Sequence, residues 1–254
     1  MEGGMRGSLV WVAAVLAVGA AGGLVTSTLV ASRAYQQRYE QTRKGEQTLA
    51  VTGSARKRIA SDLAVWRITV RGEGTDLKAA YKVLQEGFDR VKAFLDARKF
   101  KADEISLSAI NTTTHYARNE KGQETCRVEQ YSLERTFAVT SSRLDVVTTA
   151  AAEVTELIKD GVQVVSAAPE YHYTKLGELK IEMLGEASRD ARARAEQIAS
   201  NAGCAVTEVR NARMGVLQIT RPFSTEVSDS GLSDSTSIEK DVTAVVSLSF
   251  GLDR

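Results

Sequence analysis

The chain has 254 residues, 43% of them hydrophobic and 26% charged, which allows one large domain or two small ones with a real core. Its 33 basic and 32 acidic residues leave a net charge of +1, which excludes the basic footprint of a nucleic-acid-binding domain. Only Pro169 and Pro222 break the chain, so long uninterrupted elements are expected.

From Gly7 to Ser32 there is no charged residue, and this 26-residue run is long enough to cross a ~30 Å hydrocarbon core as a helix. It exceeds the ~7–15 apolar residues of a signal peptide. Residues 1–32 are therefore expected to be an uncleaved transmembrane anchor, with cleavage after Ala20 or Ser32 as the alternative. Arg6 precedes the run, while Arg33, Arg38, Arg43 and Lys44 follow it, so the flanking charges leave its orientation open. Residues 33–47 are polar and read as a juxtamembrane stalk, leaving 48–254 for the folded domain.

The segment "LAVTGSARKRIASDLAVWRITVRGEG" opens that domain with two expected strands. Leu63, Val65, Ile68 and Val70 are β-prone, Trp66 adds an aromatic, and Gly72 and Gly74 punctuate the end. A first helix follows from the stripe Leu77, Tyr81, Leu84, Phe88, Val91 and Leu95, capped by Thr75 or Asp76. "EISLSAINTTTHY" and "VEQYSLERTFAVT", separated by "ARNEKGQETCR", read as a long hairpin. A second helix carries Leu144, Val147, Ala151, Val154 and Ile158, with Ser141 or Ser142 as cap and Gly161 as stop.

After the strand segment "VQVVSAAPEYHYTK", a third and longer helix has the stripe Leu176, Leu179, Met183, Ala187, Ala191, Ala195, Ile198 and Ala202, ending at Gly203. Asp190 with Arg194 and Glu186 with Arg189 have the spacing of helix-surface ion pairs, so its arginines read as a solvated face, not a phosphate comb. "AVTEVRNARMGVLQIT" and "IEKDVTAVVSLSF" close the chain as strands, separated by a Ser/Thr-rich stretch, Thr220 to Ser237, read as a long mobile loop. Strand pairs alternating with single helices predict an α+β fold, three helices gathered on mainly antiparallel sheets. The helix–strand junctions at Lys99–Ile105, Gly161–Val162 and Gly203–Val206 repeat one pattern.

Residues with chemical potential are few. His115 and His172 have no partner at zinc-ligand spacing, and read as strand-surface side chains. Cys126 and Cys204 lie 78 positions apart with no C-x-x-C pairing, and a disulfide between them is left open. "GEG" at Gly72–Gly74 lacks the third glycine and the lysine of a phosphate loop, and reads as a turn. Asn111 begins an N-x-T acceptor, relevant only in a eukaryotic secretory host. No catalytic, cofactor-binding or metal-ligating set is assigned, and no cofactor is expected.

Several stretches together resemble one family. Residues 171–203 read as "YxYTKLxELKxEMLxEAxxDARxRAExIAxxxG", which is similar to the signature helix of the bacterial SIMPL-domain proteins. The "VxGxA" strand, a basic turn and the "DLAVW" that follows match the family's opening. "GVLQIT" and "SIEKDVTAVVSLSF" look like its closing strands, so the resemblance covers about residues 48–251. The departure is at Ser61 and Asp62, where members more often show "KADLA".

The resemblance implies an extracytoplasmic α+β domain, commonly oligomeric, linked to envelope stress and without an agreed activity. Together with the anchor, it leads us to expect a single-pass protein of the bacterial inner membrane. The soluble domain would lie in the periplasm or otherwise outside the cytoplasm, as a homo-oligomeric interaction or assembly module and not an enzyme. The competing readings are an enzyme using the Ser/Thr-rich loop as a lid, and a ring- or pore-like assembly.

Overall fold

In the computed structural model, which describes residues 47–253, the fold is α+β, with antiparallel sheets and three α-helices among the described residues. The anchor expected at residues 1–32 and the stalk up to residue 46 lie outside the described residues. No helix among the described residues is long and apolar enough to cross a membrane. The described residues divide into two compact units, one of residues 54–187 with 215–245, the other of residues 47–53, 188–214 and 246–253.

The larger unit is organised by β2 (Leu63–Gly74). Side chains alternate across a strand, so Ala64, Trp66, Ile68 and Val70 all fall on one fully buried face. β5 (Glu124–Ser141) pairs along the whole of β2, from Ala64 opposite Ser141 to Gly74 opposite Tyr131. β6 (Gln163–Ser166) and β7 (Glu170–His172) share the other edge of β2, while β3 (Ile105–Leu107) and β4 (Asn111–Arg118) share the other edge of β5. The expected hairpin is therefore present, with its first strand broken in two. On the N-terminal side of Tyr131 the β5 strand has left β2 behind, so the end of β4, His115–Arg118, and Glu124–Gln130 continue as a two-stranded arm in which no residue is buried.

Helix α1 (Leu77–Ala97) lies across this sheet, its first turn capped by the Asp76 carboxylate, which accepts from the Ala79 amide at 2.9 Å. Leu77 and Tyr81, expected on its buried stripe, are each 49% exposed. The inward face consists of Ala80, Leu84, Gly87, Phe88, Val91 and Leu95. The glycines of β2 explain the rotation. A Cβ at Gly72 would come within 2.5 Å of the Ala80 carbonyl and collide with the Leu84 amide, and one at Gly74 would come within 2.5 Å of the Ala80 amide. "GEG" is thus not a turn but the place where helix backbone rests on strand backbone.

Helix α2 (Leu144–Glu153) is capped at Arg143, without a side-chain bond, one residue later than expected. Its end tightens into 3-10 turns over Val154–Asp160. The change of period leaves Val147, Ala150 and Val154 buried and turns Ile158 outward at 55% exposure. Trp66 fixes this layer: its indole donates to Ser166 Oγ at 3.0 Å, and Ser166 donates to the Ala151 carbonyl at 2.9 Å.

In the smaller unit β8 (Ala205–Met214) pairs with the second half of β10 (Glu239–Asp253), whose Val246, Leu248 and Phe250 are buried. Two register shifts occur along this pair. Helix α3 (Leu176–Asn201) contributes Ala191, Ala195 and Ala199 to the buried set, and Leu179, Met183 and Ala187 in its first half. The stripe keeps steps of four to its end, so Ile198 and Ala202, expected inside, are exposed. The Asp190–Arg194 pair forms at 3.0 Å, and Arg192 pairs with Glu196 at 2.8 Å. β1 (Thr48–Ala60) and β2 are joined by two residues, yet belong to different sheets: β1 lies beside β10, in the order β1–β10–β8, with β9 (Gln218–Thr220) also on β10.

All three helical segments stop in the same way. Lys99, Gly161 and Gly203 take left-handed φ values of 59°, 81° and 70°. The amide after each reaches back five residues, Phe100 to Leu95, Val162 to Leu157 and Cys204 to Ala199, at 3.2, 3.1 and 2.8 Å. The repeated junction noted in the sequence is this capping motif.

Candidate functional site

Arg56, Lys57 and Arg58 belong to β1, not to the basic turn that the sequence led us to expect. Strand alternation splits them between two faces. Lys57 reaches Glu182 of α3 at 2.6 Å on one face, while Arg56 and Arg58 stand together on the other. Opposite them is Asp241, the third residue of β10 and 3% exposed. Its Oδ1 accepts from Arg58 Nε at 2.8 Å. Its Oδ2 accepts from Arg56 Nη2 at 2.7 Å, Arg58 Nη2 at 3.1 Å and the Phe223 amide at 3.1 Å.

Four donors on one buried carboxylate fill its acceptor capacity. The Arg58 guanidinium, followed by the Phe223 amide and Arg56, overcomes the effect of burial and holds Asp241 well below the usual carboxylate range. The carboxylate therefore holds its neighbours in place: two guanidiniums and a loop amide converge on it. Phe223 sits at φ +64°, rare for a bulky side chain; the residue is 81% exposed, with the Arg58 guanidinium 4.5 Å from the ring centre.

The neighbouring residue anchors the loop. Lys240 is 2% exposed, and its Nζ donates to the carbonyls of Asp234 and Ser237, both at 2.6 Å. Burial lowers its pKa, opposed by the Asp234 carboxylate at 3.5 Å. For Asp234 burial works upward, but the hydroxyl and amide of Thr236, with Ser237 and Lys240, bring it down to about 2.

Gln218 donates to the Ser228 carbonyl at 2.7 Å, the Tyr171 amide to Ser235 at 2.7 Å and the Ser61 amide to Ile238 at 2.8 Å. The stretch from Thr220 to Ser237, expected to be a mobile loop, is therefore fastened along its length. It encloses a cleft of about 340 Å³ lined by Ile219, Arg221, Leu232 and Asp234 among others. Nearby, Asp62 accepts from both the amide and the hydroxyl of Thr174 at 2.8 Å, a role that its place in the sequence does not announce.

The residues singled out in the sequence make no bond to this cluster. His115 is exposed on β4 opposite Gln130, and His172 lies 3.6 Å from Glu170 at the surface. Cys126 and Cys204 are free thiols. Asn111 is exposed at the start of β4. Among the described residues, no group of three or more His, Cys, Asp or Glu side chains is gathered as for a metal. The cluster residues that sequence reasoning missed left one signal: Lys240 and Asp241 are adjacent charges at the mouth of an apolar strand, a pattern that burial has to reconcile.

Residues 49–250 match the model of the SIMPL family, described as a protein of unknown function (DUF541). The chain belongs to the SIMPL family. The match spans the opening strand with Arg56 and Arg58, the long third helix and the closing strand with Asp241, so the cluster lies wholly inside the SIMPL domain. Among curated proteins no match is found.

Solved structures with some likeness to this SIMPL chain include the de novo designed protein Foldit4, at 12% identity over 41% of this chain and 93% of that one, with a TM-score of 0.20. A putative aminohydrolase from methicillin resistant Staphylococcus aureus is 15% identical over 56% of this chain and 38% of its own length, with a TM-score of 0.24. The regulatory subunit of aspartate kinase from Thermus thermophilus is 14% identical over 79% and 88%, with a TM-score of 0.17. Likenesses this slight carry no argument about the SIMPL chain.

Proposed function

We propose that this SIMPL-family chain is a membrane-anchored module of the bacterial cell envelope that works by self-association and contact with other proteins, and is not an enzyme. The single observation that supports this most is the outer edge of β4 and the arm that its end, His115–Arg118, forms with Glu124–Gln130. The arm's strands pair with each other and no residue in it is buried. A two-stranded hairpin is at best marginally stable alone in water, so an arm of this length gains from a partner. From Asn111 to Ala117 the outer strand carries no Asp, Glu, Lys, Arg or Pro, and the charged residues that could guard an edge, Glu129, Glu134 and Arg135, all lie on β5. An uncharged outer edge is open to pairing with another chain.

The uncharged run from Gly7 to Ser32 supports a membrane anchor, and the family resemblance supports an extracytoplasmic position for residues 48–254. Two measurements test the proposal. The protein should stay in the membrane fraction through a carbonate wash with its N-terminus intact by mass, and a start near Ala21 or Arg33 would defeat the anchor. Residues 48–254 should scatter light as an assembly at tens of micromolar. A monomer mass at every concentration would defeat self-association of the domain.

A further inference from the structure

We propose that Phe223, Arg58 and Arg56 form a docking patch for a polypeptide partner that places a carboxylate beside an apolar side chain. The inference starts from an outlier. A left-handed backbone at φ +64° is strained for a phenylalanine and comfortable for a glycine, and the residue, 81% exposed, is not one of the buried core. What holds it there is visible: Asp241 takes the Phe223 amide, and Arg58 lies against the ring face. The same carboxylate fixes two guanidiniums, so three groups are aimed by one buried anion.

The guanidiniums are not used up by Asp241. Arg56 gives it one N–H and Arg58 two, of the five that each side chain carries. Their side chains remain 54% and 43% exposed. Among the described residues, one carboxylate in direct contact serves the two cations. Glu239 acts on Arg58 only as a more distant charge, and Arg221, close in sequence, has its own partner in Glu226 at 3.8 Å. An incoming carboxylate finds planar, pre-positioned N–H donors, and an apolar neighbour on the same ligand finds the phenyl ring. Arginine and aromatic side chains held rigidly at a surface are the residues that anchor protein interfaces. The patch lies apart from the β4 arm in sequence and chemistry, so its fate does not depend on self-association.

The test uses the full-length chain in detergent micelles, titrated with N-acetylphenylalanine and, separately, with N-acetylphenylalaninamide. The acid should shift the arginine Nε–H resonances of Arg56 and Arg58 and the Phe223 amide in a saturable way, and the amide should bind at least about tenfold more weakly. Phe223→Gly should melt no lower than the parent, because glycine relieves the left-handed backbone, and yet lose the binding. Arg56→Gln should weaken it about tenfold. Equal binding of acid and amide, undiminished binding by Phe223→Gly, or no saturable shift would overturn the proposal. Displacement of the probe by inorganic phosphate with the Phe223 resonance unmoved would reduce the patch to a simple anion site, and would overturn it too.

Discussion

At Asp241 a single carboxylate ties two arginines of β1 to the backbone of the loop that precedes β10, and the acid stability of the domain should show it. Its pKa and that of Asp234 are lowered by folding, the latter to about 2. A carboxylate lowered in this way contributes its stability fully above the unfolded value of ~3.9, and loses it as pH falls through the folded value. Stability should therefore drop between about pH 4 and pH 2. Asp241→Asn should cost about 2 kcal/mol at pH 7, the arginines being half exposed, and should flatten that acid slope. Urea denaturation at pH 7, 4 and 3 checks both effects; a variant as stable as the parent at pH 7 would remove Asp241 from its role.

Ser61 presents the opposite case. It is 7% exposed and its hydroxyl has no hydrogen-bond partner among the described residues. Ser61→Ala should raise the urea midpoint by an amount worth about 0.5–1 kcal/mol, while the Ser61 amide keeps its bond to Ile238.

At the scale of elements, the seat of α1 on β2 depends on glycines in a way that propensity hides. Gly72→Ala pushes a methyl group into helix backbone that cannot rotate away, and should cost about 2–3 kcal/mol in a thermal melt. Gly185→Ala, in α3 where a Cβ meets nothing within 4 Å, should instead stabilise by about 0.5–1 kcal/mol. The opposite signs separate close packing from helix propensity. The shared capping motif adds a second case: only Lys99 occupies the left-handed position with a side chain, and Gly161 and Gly203 fill it in the other two helical segments. Lys99→Gly should stabilise by about 1 kcal/mol, with calorimetry as the readout. An unchanged melting temperature would mean that the Lys99 side chain compensates elsewhere.

For the whole molecule the exposed arm is the feature with consequences. Thr113 lies on the outer strand β4 just before the arm begins, opposite Ser132 and away from any charge on its own strand. Thr113→Lys places a solvated cation on that edge, a device by which sheet edges are kept from pairing. It should shift the assembly measured by light scattering toward smaller mass, while the stability of residues 48–254 in a thermal melt stays within about 0.5 kcal/mol of the parent. Assembly unaffected by this change would mean that the contact lies on another surface, and the arm would then be a bystander.

Much of the architecture is legible from local patterns. Period-two alternation in β2, the apolar core of the α1 stripe from Leu84 to Leu95, the Asp76 cap and the stops at Gly161 and Gly203 are all consequences of residues within a few positions of one another, and backbone geometry acts at that range. The tertiary structure alone decided that β1 and β2, two residues apart, join different sheets, and that "GEG" is a helix seat. It also decided that a basic tripeptide and an aspartate 185 positions away from Arg56 make one cluster. The reason is physical: a buried carboxylate is tolerable only where donors from elsewhere in the chain meet it, and the identity of those donors is set by strand pairing across the fold, which no local spacing encodes.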